Sequence, residues 1–95
     1  MKIRWPFGLY RVSGDSMLPT YKPGDVLVGR RWGRPRIGSV VVAQFGQPLI
    51  KRVIRTEPDG RLWLQGDNNE ASTDSRQFGA IDPELIEATI LAKLG

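Results

Sequence analysis

The sequence predicts a mainly β protein that forms one small domain with a few short helical turns. Short runs rich in β-branched residues alternate with turns rich in Gly, Pro and Asp along most of the 95 residues. A chain of this length supports a single hydrophobic core. Residues 1–95 are therefore expected to form one domain.

The first strand is predicted between residues 1 and 12, where apolar side chains occupy every second position from Ile3 to Leu9. Pro6 and Gly8 favour a place at the edge of a sheet. The ordinary role of such a strand is to cover the core. The alternative is an apolar lip that contacts a substrate or a bilayer.

Four further strands are predicted, and a turn signal at residues 21–25 precedes the first of them. The run at 39–45 has the most β-branched residues and is expected to be the most buried. Turns at 46–48 and 58–60 separate the later strands. The predicted strands cover residues 25–28, 39–45, 49–55 and 61–65.

The last third of the chain is harder to assign. Residues 66–79 are polar and predict a loop. Asp82 and Pro83 have the order typical of a helix start, with Asp82 as the cap. Residues 86–93 fit a helix by propensity and a strand by alternation, and both assignments stay open.

The composition excludes several kinds of chemistry. The chain has no cysteine and no histidine, which excludes disulfides, a Ser-His-Asp triad and most zinc sites. We expect no metal and no cofactor. Any acid–base chemistry near neutral pH must therefore use Lys, Asp, Glu or Tyr with a shifted pKa.

The net charge of +4 is concentrated beside Trp32, in a segment that also contains four arginines. Such a segment is usually a solvated loop, although it also suits an anionic surface. No run is apolar enough to predict a transmembrane helix or a signal peptide. These observations predict a cytoplasmic protein. The four arginines are Arg30, Arg31, Arg34 and Arg36.

Two polar residues stand out as a candidate catalytic pair. Ser16 follows Gly14 in a turn, and Lys51 lies in an apolar run that predicts a strand. A serine hydroxyl needs a nearby base to become a nucleophile. A lysine can act as that base if burial lowers its pKa. We therefore predict a Ser16 nucleophile and a Lys51 general base, with Arg52 on the opposite face of the strand.

Three segments together resemble the type I signal peptidases, whose motifs occur in the same order. They are Gly-Asp-Ser-Met-Leu-Pro-Thr at 14–20, Lys-Arg-Val at 51–53, and Gly-Asp-Asn with Ser-Thr-Asp-Ser-Arg at 66–76. The resemblance implies a serine–lysine peptidase domain over residues 1–95, with a β core like that of the signal peptidases and the self-cleaving SOS repressors. It gives the supporting roles to Ser72, Asp67, Asp74, Arg52, Arg76 and Gly14.

The resemblance also assigns a task to each of these residues. Ser72 orients the lysine amine, while Asp67 and Asp74 hold the site with Arg52 and Arg76 as their partners. The backbone N–H of Ser16 supplies an oxyanion donor, and Gly14 replaces a residue that carries a second donor hydroxyl in some members. Without the resemblance, the two aspartates are ordinary turn caps.

The expected substrate follows from the small size of the chain. The chain lacks the insertion that larger signal peptidases carry between the lysine and Gly-Asp-Asn segments. It is similar in this respect to small soluble proteases that mature nickel-type superoxide dismutase. We therefore expect removal of an N-terminal propeptide from that enzyme. Cleavage of secretory signal peptides in the manner of signal peptidase I is the alternative.

Two other readings are weighed against these. A self-cleaving repressor needs an Ala-Gly site before its serine, and no Ala-Gly precedes Ser16. A non-enzymatic basic β domain could bind nucleic acid through Trp5, Trp32 and Trp63. It leaves the segment at 66–76 unexplained. We expect a polypeptide substrate and no nucleic-acid partner, and the sequence leaves the oligomeric state open.

Overall fold

A computed structural model describes residues 5–95, and it has one six-stranded antiparallel sheet in the order β1-β2-β6-β3-β4-β5. The helical parts are α1 (Ser75–Phe78) and two 3-10 turns, Asn69–Ala71 and Pro83–Leu85. The prediction of a mainly β, single small domain is confirmed. The strands are β1 (Phe7–Arg11), β2 (Val26–Arg30), β3 (Val40–Phe45), β4 (Gln47–Thr56), β5 (Leu62–Gln65) and β6 (Ile86–Leu94).

Most predicted elements lie where the sequence placed them. Among the strands that the structure describes, β1 pairs only with β2 and lies at the edge of the sheet. The part of the first predicted strand at residues 1–4 lies outside the described residues. The first four residues of β3 are all buried, as its composition predicts. Asp82 caps the turn that begins at Pro83 by accepting a hydrogen bond from the Glu84 N–H at 2.8 Å.

The ambiguous segment near the end of the chain forms β6. It pairs with β2 on one side and β3 on the other, so it lies inside the sheet. A strand in this position satisfies its backbone groups on both sides, and that gain outweighs helix propensity.

The sheet is strongly curved. Three strands, β2, β6 and β3, separate β1 from β4, yet β1 and β4 line the same cavity. Register shifts at Val28/Gly29, Val42/Ala43 and Val53/Arg55 mark irregularities of the kind that bend and twist strands. The curvature brings the β1–β2 loop, which carries Ser16, close to β4, which carries Lys51.

The core lies beneath β3, β4 and β5. It packs against Phe78 of α1, whose ring stacks on Phe45 with centroids 4.5 Å apart. This packing ties the polar segment after β5 to the sheet. The buried residues in this part of the core are Val41, Ala43, Val53, Leu62, Leu64 and Ile81.

Candidate active site

Ser16 lies on the loop that joins β1 and β2. Backbone hydrogen bonds of 2.8 Å from Val12 N to Asp25 O and from Gly24 N to Val12 O close the base of this loop. Met17, the residue after the serine, is only 1% exposed and anchors the loop in the interior. Ser16 is therefore half-buried next to a fixed point of the fold.

Lys51 lies in the middle of β4, opposite Val41 of β3. Its exposure is only 4%. Burial alternates along this part of the strand, so Lys51 and Val53 face the interior and Arg52 faces the other way. A lysine amine is thus placed among buried apolar residues.

The Lys51 amine is held by a hydroxyl. Nζ donates a hydrogen bond to Ser72 Oγ at 3.0 Å, and Ser72 Oγ donates to Asp74 Oδ2 at 2.5 Å. Because a neutral amine that donates to Ser72 keeps its lone pair, this contact leaves Lys51 able to accept a proton.

Asp74 anchors this chain of contacts and is 0% exposed. Its carboxylate accepts five hydrogen bonds, from Ser72 Oγ, Gly66 N, and the N, Nε and Nη2 atoms of Arg76. Asp74 also caps α1, in a capping box with Gln77. Asp74 therefore caps α1, as its place in a turn suggested, and also contacts Ser72 and Arg76, the residues to which the resemblance assigns supporting roles.

The pKa values of the two groups follow from their surroundings. Burial lowers the pKa of Lys51 below its ordinary value; the Asp74 charge opposes that shift and the Arg76 charge adds to it. Burial acts to raise the pKa of Asp74, but the hydrogen bonds from Arg76, Ser72 and Gly66 outweigh it and hold that pKa well below the usual range. Asp74 is thus a fixed negative charge near a lysine that loses its proton more readily than usual.

Ser16 and Lys51 line the same cavity, which has a volume of about 470 Å³. Within residues 5–95, no hydrogen bond joins the Ser16 hydroxyl to the Lys51 amine. The wall includes Leu9 of β1 and Ile50 of β4. The cavity is thus bounded by β1, β4 and the loop that carries Ser16.

A second ion pair holds the other side of the site. Arg52 donates to both oxygens of Asp67, from Nε at 2.9 Å and from Nη2 at 2.8 Å, and also to the Gly38 carbonyl at 2.7 Å. The hydrogen bonds from Arg52 lower the pKa of Asp67, and those to Asp67 raise the pKa of Arg52. The predicted pairings of Arg52 with Asp67 and of Arg76 with Asp74 are both present.

Three further residues, which had no predicted role, join the Ser16 loop to the Gly-Asp-Asn segment. Thr20 Oγ1 donates to Asp67 Oδ2 at 2.5 Å. Asn68 donates from its backbone N–H to the Ser16 carbonyl at 2.8 Å. A Cβ added to Gly66 would lie 2.6 Å from the same carbonyl, so only glycine fits there. Gly66 and Asn68 lie in the Gly-Asp-Asn triplet, and that triplet is the sequence signal that could have selected these two.

Gly14 lies in the exposed part of the loop with a φ of 78°, a left-handed conformation that favours glycine. It has no hydroxyl to offer to a substrate. The residue therefore serves the path of the backbone.

The family profile of Peptidase S24-like proteins matches residues 6–89. Mitochondrial inner membrane protease subunit 1 of Schizosaccharomyces pombe is 32% identical over 115 aligned positions, which cover 93% of this chain and 73% of that protein. The Mus musculus protein of the same name is 31% identical, with 92% of this chain and 69% of that protein covered. A mitochondrial ATP-independent inner membrane protease subunit 1a from Arabidopsis thaliana is 51% identical over 37 residues, which are 39% of this chain and 22% of that protein.

These relatives correct one prediction and extend another. The cytoplasmic location is wrong on this comparison, because the relatives are named as proteases of the mitochondrial inner membrane. Across residues 5–95, no helix is long and apolar enough to cross a membrane. The protease relatives agree with the predicted polypeptide substrate. The chain belongs to the Peptidase S24-like family.

Proposed function

We propose that this chain is a serine endopeptidase that removes an N-terminal sorting sequence from polypeptides presented at a membrane surface, with Ser16 as nucleophile and Lys51 as general base. One observation carries the proposal. A nearly inaccessible lysine amine, held by a hydroxyl and a buried carboxylate, shares a cavity with a serine on a fixed loop.

The reaction proceeds in two balanced stages. Ser16 Oγ bonds to the carbonyl carbon of the scissile peptide as its proton passes to the neutral Lys51 amine, and the carbonyl π electrons move to oxygen. Collapse of this intermediate breaks the C–N bond, and Lys51 returns the proton to the leaving amine. Water then gives a proton to Lys51 and attacks the acyl carbon; collapse breaks the C–Oγ bond, releases the carboxylic acid product, and Lys51 returns the proton to Ser16 Oγ.

The remaining site residues support these steps without exchanging protons. Ser72 and Asp74 hold the amine in place, while Arg52 with Asp67 holds the Gly-Asp-Asn segment against the Ser16 loop. The Ser16 N–H is one oxyanion donor. Because Gly14 lacks a hydroxyl, a second donor must be a backbone amide or a water molecule.

The relatives favour one substrate class over the other. Those reported above are named as inner membrane proteases, which agrees with signal-peptidase-type cleavage. The predicted cleavage of a nickel-type superoxide dismutase precursor has support only from the small size of the chain and the resemblance of its motifs. We therefore propose the signal-peptidase activity as the function.

An exposed aromatic surface next to the cavity supports a peripheral membrane contact. Trp5 is 80% exposed, and Phe7 and Trp32 form an edge-on pair with centroids 5.1 Å apart. The Arg31 guanidinium donates to the Trp5 carbonyl at 3.3 Å, which places a cation beside these rings. Leu9 is 67% exposed and continues this surface to the cavity. Aromatic rings beside cations suit the interface of an anionic bilayer.

Mass spectrometry of precursor proteins tests the proposal. A secretory precursor and a nickel-type superoxide dismutase precursor are each incubated with the wild-type protein, Ser16→Ala or Lys51→Ala. We expect one discrete N-terminal cut in the secretory precursor and a loss of roughly 10³-fold or more in either variant. An exposed-turn variant, Asp59→Asn, should cut normally.

Turnover that survives in Ser16→Ala or Lys51→Ala would refute the assigned mechanism. A cut only in the dismutase precursor would reverse the substrate assignment and leave the mechanism standing.

A further inference from the structure

We infer that Asn68 is a positioning residue that sets the direction of the Ser16 N–H, the oxyanion donor, by holding both peptide groups next to the serine. The inference rests on the proposed function. Asn68 donates from its side chain to the Asp15 carbonyl at 3.1 Å and from its backbone to the Ser16 carbonyl at 2.8 Å. Both partners lie about fifty positions earlier in the chain.

The first of these contacts controls the donor directly. The Asp15 carbonyl and the Ser16 N–H belong to one planar peptide group. This peptide bond is trans, so its C=O and N–H point in opposite directions. A hydrogen bond that fixes the carbonyl therefore fixes the N–H. Leu18 N also donates to the Asp15 carbonyl, at 3.2 Å, but that bond lies within the loop and moves with it.

The second contact fixes the next peptide group. The Ser16 carbonyl accepts from Asn68 N, so the planes before and after the Ser16 Cα are both tied to one residue. These two planes define φ and ψ of the serine. They therefore also set the direction in which its Cβ and hydroxyl leave the backbone.

Asn68 can serve as a reference because its own segment is fixed. Asp67, the preceding residue, accepts two hydrogen bonds from Arg52 of β4. Gly66 donates to the buried carboxylate of Asp74 at 2.8 Å. The Ser16 N–H is thus held in a fixed position relative to the residues that hold the Lys51 amine.

The effect on catalysis follows from how oxyanion donors work. They stabilise the intermediate because they are already aimed at the charge before it forms, and losing one donor costs about 10²–10³ in kcat. Releasing the Asp15 carbonyl leaves the N–H present but free to turn away. Such misplacement is expected to lower the rate by roughly ten- to a hundred-fold.

The test compares Asn68→Ala and the isosteric Asn68→Asp with the wild-type 95-residue chain on a cleaved precursor peptide. We expect kcat to fall by roughly ten- to a hundred-fold, with KM within about threefold. A peptide aldehyde places an oxyanion at the site after it bonds to Ser16, and its affinity should fall by the same factor. The affinity of the unreactive product peptide should not change.

Gln44→Ala is the matched control, because it removes a side-chain amide hydrogen bond, 3.0 Å to Glu87, and neither residue lines the cavity. It should keep full activity, and circular dichroism should show the same fold in all variants. Equal losses for the aldehyde and the product peptide, or an unchanged kcat, would overturn the inference. Retained activity in Ser16→Ala would instead overturn the proposed function and this inference with it.

Discussion

The two halves of the candidate site are built in different ways. The Lys51 half is buried, and its last member, Asp74, accepts five hydrogen bonds while being fully inaccessible. The Ser16 half lies on a loop whose residues 13–15 are exposed. Besides the buried Met17, hydrogen bonds from Thr20 to Asp67 and from Asn68 to Asp15 hold this loop.

This difference matches the two tasks that we propose for Lys51 and Ser16. A lysine must lose its proton readily to act as a base, so it needs a dry and permanently organised place. A nucleophile must meet a substrate that enters from solvent, so it needs access together with correct aim. One half therefore gains its precision from burial, and the other from clamping.

Replacing the anchor of the buried half should have the largest effect. Asp74→Asn leaves Arg76 and the Gly66 N–H with poorer partners. We expect the free energy of unfolding at pH 7 to fall by about 2–4 kcal/mol and activity to fall at least about 100-fold. Urea denaturation and peptide cleavage measure the two losses.

Asp67→Asn is the matched change in the clamped half. Its ion pair with Arg52 is part-exposed, so we expect the free energy of unfolding to fall by only about 1 kcal/mol.

The contribution of Asp74 to stability should depend on pH. Because the pKa of Asp74 is lowered in the folded protein, this contribution is complete above the ordinary carboxyl range and is lost as the pH falls through the folded-state value. The difference in unfolding free energy between wild type and Asp74→Asn should therefore narrow in acid. Equal losses of stability in Asp74→Asn and Asp67→Asn at pH 7 would contradict the proposed difference between the two halves of the site.

The pH dependence of cleavage tests the role of Lys51 in the intact protein. Lys51 must be neutral to accept a proton, so kcat/KM should rise about tenfold per pH unit up to its pKa and then level off. Burial lowers that pKa, which puts the limb below the ordinary lysine value of about 10.4. Asp74 opposes this shift, so the residual activity of Asp74→Asn should show the limb at lower pH. A profile without an alkaline limb would refute Lys51 as the base.

The smallest effect is expected for Thr20, whose hydroxyl contacts Asp67. Thr20→Val keeps the shape of the side chain but removes the hydrogen bond to Asp67. We expect a loss of about 0.5–1.5 kcal/mol in unfolding free energy and a few-fold lower kcat. Thr20→Ser keeps a hydroxyl and should remain close to wild type. If Thr20→Val lost as much unfolding free energy and activity as Asp74→Asn, the buried and exposed halves of the site would not differ in the way proposed.

Features that depend on neighbouring residues could be predicted from the sequence. Alternation in β4 predicts that Lys51 faces the interior and Arg52 does not, and the cap at Asp82 is readable from its neighbours. The assignment of β6 and the curvature of the sheet depend on pairing between distant strands. Thr20 and Asn68 contact partners 47 and 53 positions away, so nothing around them in the sequence reveals their contacts.

The close packing around Gly66 bears on the stage of synthesis at which the candidate site can form. The Ser16 carbonyl and Ser72 pack where that side chain would be, so the site closes only after the segment at 66–76 has been synthesised. A nascent chain that ends before Gly66 already contains Ser16 and Lys51 but has neither the clamp nor Asp74. Under the proposed function, such a chain has the hydroxyl and the amine but lacks the Asp74 and Asn68 contacts that hold them, so we expect it not to cleave peptides.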